Sequence, residues 1–365
     1  MGLKCGIVGL PNVGKSTVFN ALSSAKAQSA NFPFTTIEPN IGVITIPDER
    51  LVKLAELVKP QEVIPTNMEF VDIAGLVKDA HKGEGLGNQF LSHIRETDAI
   101  IHVIRCFDDP NIVHTMGNVD PERDKEIIDI ELQLKDMSTV QNRIKTIERL
   151  AAGGDKASIQ ELALLKPVEV QLNNSVSVRN MGLSEEKLEA LSELFLLSSK
   201  PVLYLCNVDE AGMVNGNKYT EIMQRVSSKE GAEILILTAA LEADIAELDS
   251  YEDKLEMLKE LGLKESGIDR LIHSAYKLLN LITFFTVGPK MATAWTIRRD
   301  TNAIASAGVI HTDFEKGFIR AEVIHYADFV ELGSEKACKD AGKIRVEGKN
   351  YILQDGDIMH FLFNV

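Results

Sequence analysis

Residues 9–16 read Gly-Leu-Pro-Asn-Val-Gly-Lys-Ser, the spacing G-x-x-x-x-G-K-[ST], preceded by the apolar run Cys5–Val8 and followed by Val18–Leu22. A strand, a glycine-bearing loop and a helix in that order make a phosphate cradle. The backbone of Asn12, Val13, Gly14, Lys15, Ser16 and Thr17 turns its N–H groups toward phosphate oxygens. Lys15 supplies a point charge for the β and γ oxygens, and the Ser16 hydroxyl is a ligand for Mg²⁺. The implied ligand is a nucleoside triphosphate.

A second set of groups lies downstream. Asp72-Ile73-Ala74-Gly75 ends the third apolar run, the place where an open parallel sheet holds its ligands. Asp72 is expected to hold Mg²⁺ and the Gly75 N–H to sense the γ-phosphate. Between the first helix and the second strand, Asn31–Asn40 offers hydroxyls, of which Thr36 is the expected metal ligand. The glycines at 83, 85 and 87 suit a loop that orders on the γ-phosphate. Leu76 stands where Ras-like enzymes carry a water-orienting Gln, so hydrolysis is expected to be slow unless another group or a partner assists. His114 is one candidate for that group and His81 another, whereas His102 alternates within a strand and reads as a core residue.

Base choice rests on Asn207-Val208-Asp209-Glu210. Guanine-reading segments use Asn-Lys-x-Asp, whose final carboxylate accepts from N1–H and the 2-amino group. Here Val208 replaces the Lys, and the acid at the last position, Glu210, is one methylene longer. Adenine presents an acceptor at N1, so a carboxylate held for guanine gains nothing there, and the segment favours adenine.

These groups need a scaffold. Lys4–Gly9, Ile41–Ile46, Met68–Ile73, Ala99–Cys106, Pro201–Asn207 and Glu233–Thr238 are short apolar runs separated by helical patterns, which predicts a mostly parallel sheet covered on both faces. Between the fourth and fifth runs, Ile130, Leu134, Met137, Val140, Ile144, Ile147 and Ala151 step by threes and fours. After the Ala152–Asp155 break a second helix starts near Ala157. The two form an inserted helical hairpin whose stripe packs its own arms together, and Pro167 is expected to kink or end the second arm. From Ile282 short alternating strands predict a small separate mixed-sheet domain. The expected boundaries are 1–125 with 200–280 for the nucleotide domain, 126–199 for the helical insertion and 281–365 for the last domain.

A net charge of −15 excludes general binding to nucleic acid or anionic membrane. Residues 281–365 hold 10 Lys+Arg against 11 Asp+Glu, while residues 1–280 hold 29 against 43. Local RNA contact is therefore expected in the last domain, with Lys316, Arg320, Lys343 and Arg345 as candidates. Four scattered cysteines without metal spacing suit buried thiols in a reducing cytosol. Neither a signal segment nor a membrane-spanning run is read, so the expectation is a cytoplasmic monomer away from membranes.

Over essentially its whole length the sequence resembles the YchF/Obg-like ATPases, a branch of the translation-factor-related P-loop GTPases. The resemblance is carried by Gly9–Ser16, Asn31–Asn40, Asp72–Leu76, Asn207–Glu210, the helical insertion, Ala294–Ile297, His311–Arg320 and Asp355–Asp357. It implies hydrolysis of ATP in preference to GTP, a ubiquitin-like (TGS) C-terminal domain of mixed α+β type, and a ribosomal or RNA-containing partner. Asn12 matches the position at which K⁺-stimulated relatives hold a monovalent cation. An ordinary translation-factor GTPase and a non-enzymatic nucleotide-stabilised interaction protein are the alternative readings.

Overall fold

The computed structural model describes residues 3–27, 40–73, 86–248 and 250–364. In chain order come β1 (Lys4–Val8), α1 (Lys15–Ala27), β2 (Ile41–Thr45), α2 (Glu49–Val58), β3 (Glu62–Ile64), β4 (Asn67–Asp72), α3 (Leu86–Arg95) and β5 (Ala99–Arg105). Next are α4 (Pro121–Ala152), α5 (Lys156–Asn173), α6 (Glu185–Leu191), β6 (Val202–Asn207), α7 (Lys218–Glu230), β7 (Glu233–Leu237), α8 (Ala239–Glu247), α9 (Tyr251–Glu260) and α10 (Gly267–Leu278). The last stretch forms β8 (Leu281–Val287), β9 (Met291–Arg298), α11 (Ala303–Ile310), α12 (Thr312–Lys316), β10 (Phe318–Ile324), α13 (Tyr326–Leu332), α14 (Glu335–Asp340), β11 (Arg345–Glu347) and β12 (Ile358–Phe363).

The chain divides into two compact units, residues 1–44 with 69–275, and residues 45–68 with 276–365. In the first, all six apolar runs join one sheet in the order β2-β4-β1-β5-β6-β7. The pairs β1/β4, β1/β5, β5/β6 and β6/β7 are parallel. β5 and β6 are buried along their whole length, which is why they read as unbroken apolar runs. Strand ends of β1, β4, β5 and β6 therefore share the edge where the cradle forms.

The inserted hairpin is present, with two differences from the sequence reading. Val140, Ile144 and Ile147 pack against Leu165, Val168 and Leu172 as expected. Ile130 and Leu134, however, stand 44% and 40% exposed. The first half of α4 turns another face inward, carrying Ile128 and Leu132 beside buried Lys125, Asp129, Gln133 and Asp136. Pro167 does not end α5, which runs on to Asn173. Leu165, Val168 and Leu172 bury on both sides of the proline, and that packing offsets the missing N–H.

At the root of the arm the buried charges pair among themselves. Lys125 bonds Glu230 and lies 3.0 Å from Asp129, Arg179 Nη2 donates to Asp129 at 2.5 Å, and the Tyr204 hydroxyl donates to Glu230 at 2.7 Å. Burial would raise the Asp129 carboxyl, but the Arg179 and Lys125 cations outweigh it and hold it below the ordinary range. His102 is buried in the same neighbourhood, its ring 5.8 Å from that of Tyr204, in agreement with its reading as a core residue.

The second unit is built on a mixed sheet in the order β11-β10-β12-β8-β9-β3. β8/β9 and β10/β12 are antiparallel, while β12/β8 and β3/β9 are parallel. Residues 45–68, assigned from sequence to the nucleotide domain, belong here. Leu51 and Leu54 of α2 enter the core formed with Phe285, Ala292, Ala294 and Ile324, and β3 completes an edge of the sheet. Among the described residues, Cys5, Cys106, Cys206 and Cys338 are all buried free thiols, and no helix is long and apolar enough to cross a membrane.

Candidate nucleotide site

The cradle opens where β1 ends. Asn12 and Gly14 both take positive φ, +64° and +93°. At Gly14 this conformation and the space both demand glycine, since a Cβ would run into the Asn207 side chain. α1 begins at Lys15, and its first intrahelical bond is from Val18 N–H to the Gly14 carbonyl at 3.0 Å. The N–H groups of Lys15, Ser16 and Thr17 precede that bond and present the positive end of the helix dipole to the loop. Val13 buries its side chain, so it contributes backbone only; Ser16 is exposed.

Lys15 Nζ meets Asp72 Oδ1 in an ion pair, bringing the phosphate-binding ammonium and the expected metal-binding carboxylate to one point. Asp72 is set by the last residues of β4: its N–H donates to the Asn40 carbonyl at 2.9 Å, and Ile73 N–H donates to the Ile7 carbonyl at 3.1 Å. Ser16 and Asp72 are hard oxygen donors of the kind Mg²⁺ selects. Thr36, Gly75, Leu76, His81 and the glycines at 83 and 85 lie outside the described residues, as does Asn31–Pro39. Gly87 falls in the first turn of α3.

In the base-reading segment each residue does something different. Asn207 is buried and bridges: Nδ2 donates to the Val13 carbonyl at 2.9 Å, and Oδ1 accepts from Ala239 N–H at 2.9 Å. It ties the cradle to the start of α8. Val208 is only 2% exposed, so its side chain is part of the core and cannot face a base. Asp209 caps a short turn by accepting from Gly212 N–H at 3.0 Å, which fixes the register. Glu210 is left as the exposed acid at the position read for the base.

The loop after β5 forms a further wall. Asn12 Nδ2 donates to the Val113 carbonyl at 3.1 Å, so the amide nitrogen of the residue read as a K⁺ ligand is committed to this loop. His114, the candidate for assisting hydrolysis, is buried with both ring nitrogens engaged. Nδ1 accepts from Met116 N–H at 3.1 Å, which places the ring proton on Nε2, 2.8 Å from Asp124 Oδ2. In this geometry His114 anchors the loop and does not present a free base. Sequence reasoning passed over Arg105, whose signal was one cation closing an otherwise apolar run. Its guanidinium donates to the carbonyls of Phe107, Asp109 and Ile112 at 3.1, 3.1 and 2.9 Å.

Comparison with known proteins decides the family. A model described as a 50S ribosome-binding GTPase matches residues 4–146, and the YchF-GTPase C-terminal model, described as a protein of unknown function, matches residues 281–364. The chain is similar to the ribosome-binding ATPase YchF of Escherichia coli O157:H7, 54% identical over 365 residues and the full length of both chains. The chain belongs to the YchF family. The Bacillus subtilis YchF, also called a ribosome-binding ATPase, is 49% identical over the full length of both. The solved Schizosaccharomyces pombe YchF GTPase is 38% identical, with a TM-score of 0.89 over 99% of this chain and 98% of that one. The α/β fold with a P-loop domain and a separate C-terminal domain is thus the YchF fold. Within this YchF-family chain the four cations read for RNA are not equivalent. Lys343 pairs with Asp328 at 2.9 Å, and Arg345 with Glu347 at 3.7 Å, whereas Lys316 and Arg320 have no ion pair among the described residues.

Proposed function

We propose that this chain is a nucleotide-dependent switch that binds ATP in preference to GTP, hydrolyses it slowly and acts with the ribosome. The observation that carries the reading is the meeting of Lys15 and Asp72 beside the first-turn N–H groups of Lys15–Thr17, which precede the first intrahelical bond. That arrangement supplies a point charge, backbone donors and a carboxylate to one triphosphate. The names of the bacterial relatives, ribosome-binding ATPases at 54% and 49% identity, supply the activity and the partner.

Ser16, Thr36 and Asp72 would hold Mg²⁺, the last through water, and the ion would neutralise charge between the β and γ oxygens. Lys15 orients the same oxygens, and the Gly75 N–H reads the γ-phosphate. The oxygen of the Asn12 amide is the group left for K⁺. His114 enters catalysis only if it leaves Asp124. Residues 281–365 serve as the TGS module, and the chain works as a cytoplasmic monomer without a membrane partner. Two observations favour the GTPase reading: the family model matching residues 4–146 is described as a GTPase, and the similar S. pombe protein is called one.

Titration of the purified chain with ATP and GTP, followed by hydrolysis with Mg²⁺, with and without K⁺ and ribosomes, tests this function. Tighter ATP binding and turnover stimulated by ribosomes are expected. Equal affinities would favour the GTPase alternative, and binding without turnover would leave a nucleotide-stabilised interaction protein.

A further inference from the structure

Arg105 is 1% exposed at the end of β5, and among the described residues it makes no ion pair with a carboxylate. A buried guanidinium needs its donors satisfied. Here three carbonyls of one short loop do so, and the guanidinium carbon also lies 4.6 Å from the centre of the Phe107 ring. The planar fork thus works as a three-point clamp on residues 107–112, a geometry an ammonium cannot reproduce.

The clamp lies level with the cradle. β5 runs parallel to β1 with His102 opposite Val8. Arg105 is three residues further on, about 10 Å past that point at the usual rise of a strand. The residue that follows the clamped stretch is Val113, whose carbonyl takes the Asn12 amide. Asn12 sits in the left-handed region, a conformation that disfavours side chains and is held by its surroundings. Other fastenings reach the same loop from α7 and its cap: Asn217 Nδ2 donates to the Cys106 carbonyl at 2.7 Å, and the Tyr219 hydroxyl contacts Asp108 at 2.7 and 2.9 Å. They grip its first residues. On the near side of the Asn12 contact the Arg105 clamp is the fastening that spans to Ile112, and on the far side His114 is held by Asp124.

We infer that Arg105 is a positioning residue for the nucleotide site, acting through the loop 107–113 and the Val113 carbonyl on Asn12 of the cradle. The inference rests on the nucleotide reading above. Arg105 itself touches no phosphate; its work is to keep the carbonyl in place and with it the shape of the cradle.

The test is a double-mutant cycle read by calorimetric titration with Mg²⁺-ATP on the full chain. Arg105→Lys keeps the charge and loses the fork, and Asn12→Ala removes the contact from an exposed side chain. Each is expected to weaken ATP about tenfold, and the double variant to bind no more weakly than the weaker single one, because both break one path. Additive effects, or a lower melting temperature for Arg105→Lys with unchanged affinity, would overturn the inference and make Arg105 purely structural. If Arg105→Lys does not fold, hydrogen exchange at the amides of residues 111–117 carries the test. ATP should slow that exchange in the unmodified chain and not in Asn12→Ala; equal slowing in both would overturn it. Failure of the unmodified chain to bind ATP would remove the nucleotide reading itself, and this inference with it.

Discussion

The nucleotide cradle and the root of the helical arm both gather charged side chains, yet they finish the gathering differently. At the arm root, Lys125, Asp129, Arg179 and Glu230 answer one another inside the protein, with Tyr204 closing on Glu230. At the cradle, Lys15 and Asp72 pair beside helix N–H groups that have no intrahelical acceptor and beside the Ser16 hydroxyl. Charges that close on themselves hold two elements together. Charges standing next to open donors are arranged for something that arrives.

If this contrast is correct, substitutions in the two regions should separate into losses of binding and losses of stability. The largest loss of binding is expected for Lys15→Ala, which removes the point charge on the phosphates. ATP affinity should fall by roughly a hundredfold or more while urea unfolding stays cooperative, and titration of the folded variant checks both. Asp129→Ala should do the opposite. Removing one partner leaves the buried Arg179 without its carboxylate and Lys125 with Glu230 alone, at a cost of about 3–5 kcal/mol of stability. Urea denaturation reads that loss, and ATP affinity of the folded variant should be unchanged. Weak nucleotide binding in folded Asp129→Ala would join the two regions and break the contrast.

A pH series sharpens it further. Burial pushes the His102 imidazole down to about 4, against about 6.5 in the unfolded chain. Below pH 6.5 the unfolded chain takes up this proton and the folded one does not, so stability is full above that pH and declines as pH falls toward 4. The total is roughly 3 kcal/mol. His102→Phe should lose this part of the slope between about pH 6.5 and 5, as measured by urea unfolding at several pH values. The smallest effect concerns the base. Rebuilding the guanine-reading Lys at position 208 would bury an ammonium, because Val208 lies in the core. The useful change is Glu210→Asp alone, expected to shift the ATP-to-GTP affinity ratio toward GTP by a few-fold, about 1 kcal/mol. An unchanged ratio would assign base choice to backbone contacts.

Local features were legible in the sequence. Gly9–Ser16 announced the loop and helix start, Asp72 the end of its strand, and the six apolar runs the sheet, because each depends on neighbours within a few residues. What depended on distant partners was hidden. Asn207 was read as a base contact, and its bridge between Val13 and Ala239 became visible only when residues far apart in sequence met. The capture of His114 by Asp124 and the grip of Arg105 on carbonyls needed the loop's path. Ile130 and Leu134 fitted a helical stripe, but periodicity alone did not say that α4 changes its buried face partway along.

The assignment of residues 45–68 to the second unit bears on how this chain is made. Leu51 and Leu54 leave the ribosome early, but their core partners Phe285, Ala292 and Ile324 follow more than two hundred residues later. At about 5–20 residues per second, that leaves an apolar helix face without its neighbours for roughly 12 to 55 seconds of synthesis. The first unit can close its sheet in the meantime while this segment waits. A chain stopped at residue 280 would never end that wait, so such a truncation would expose the Leu51–Leu54 face as well as remove residues 281–365. A loss of ribosome binding in that truncated chain would therefore have two causes mixed together, and point substitutions at Lys316 and Arg320 map the contact more cleanly.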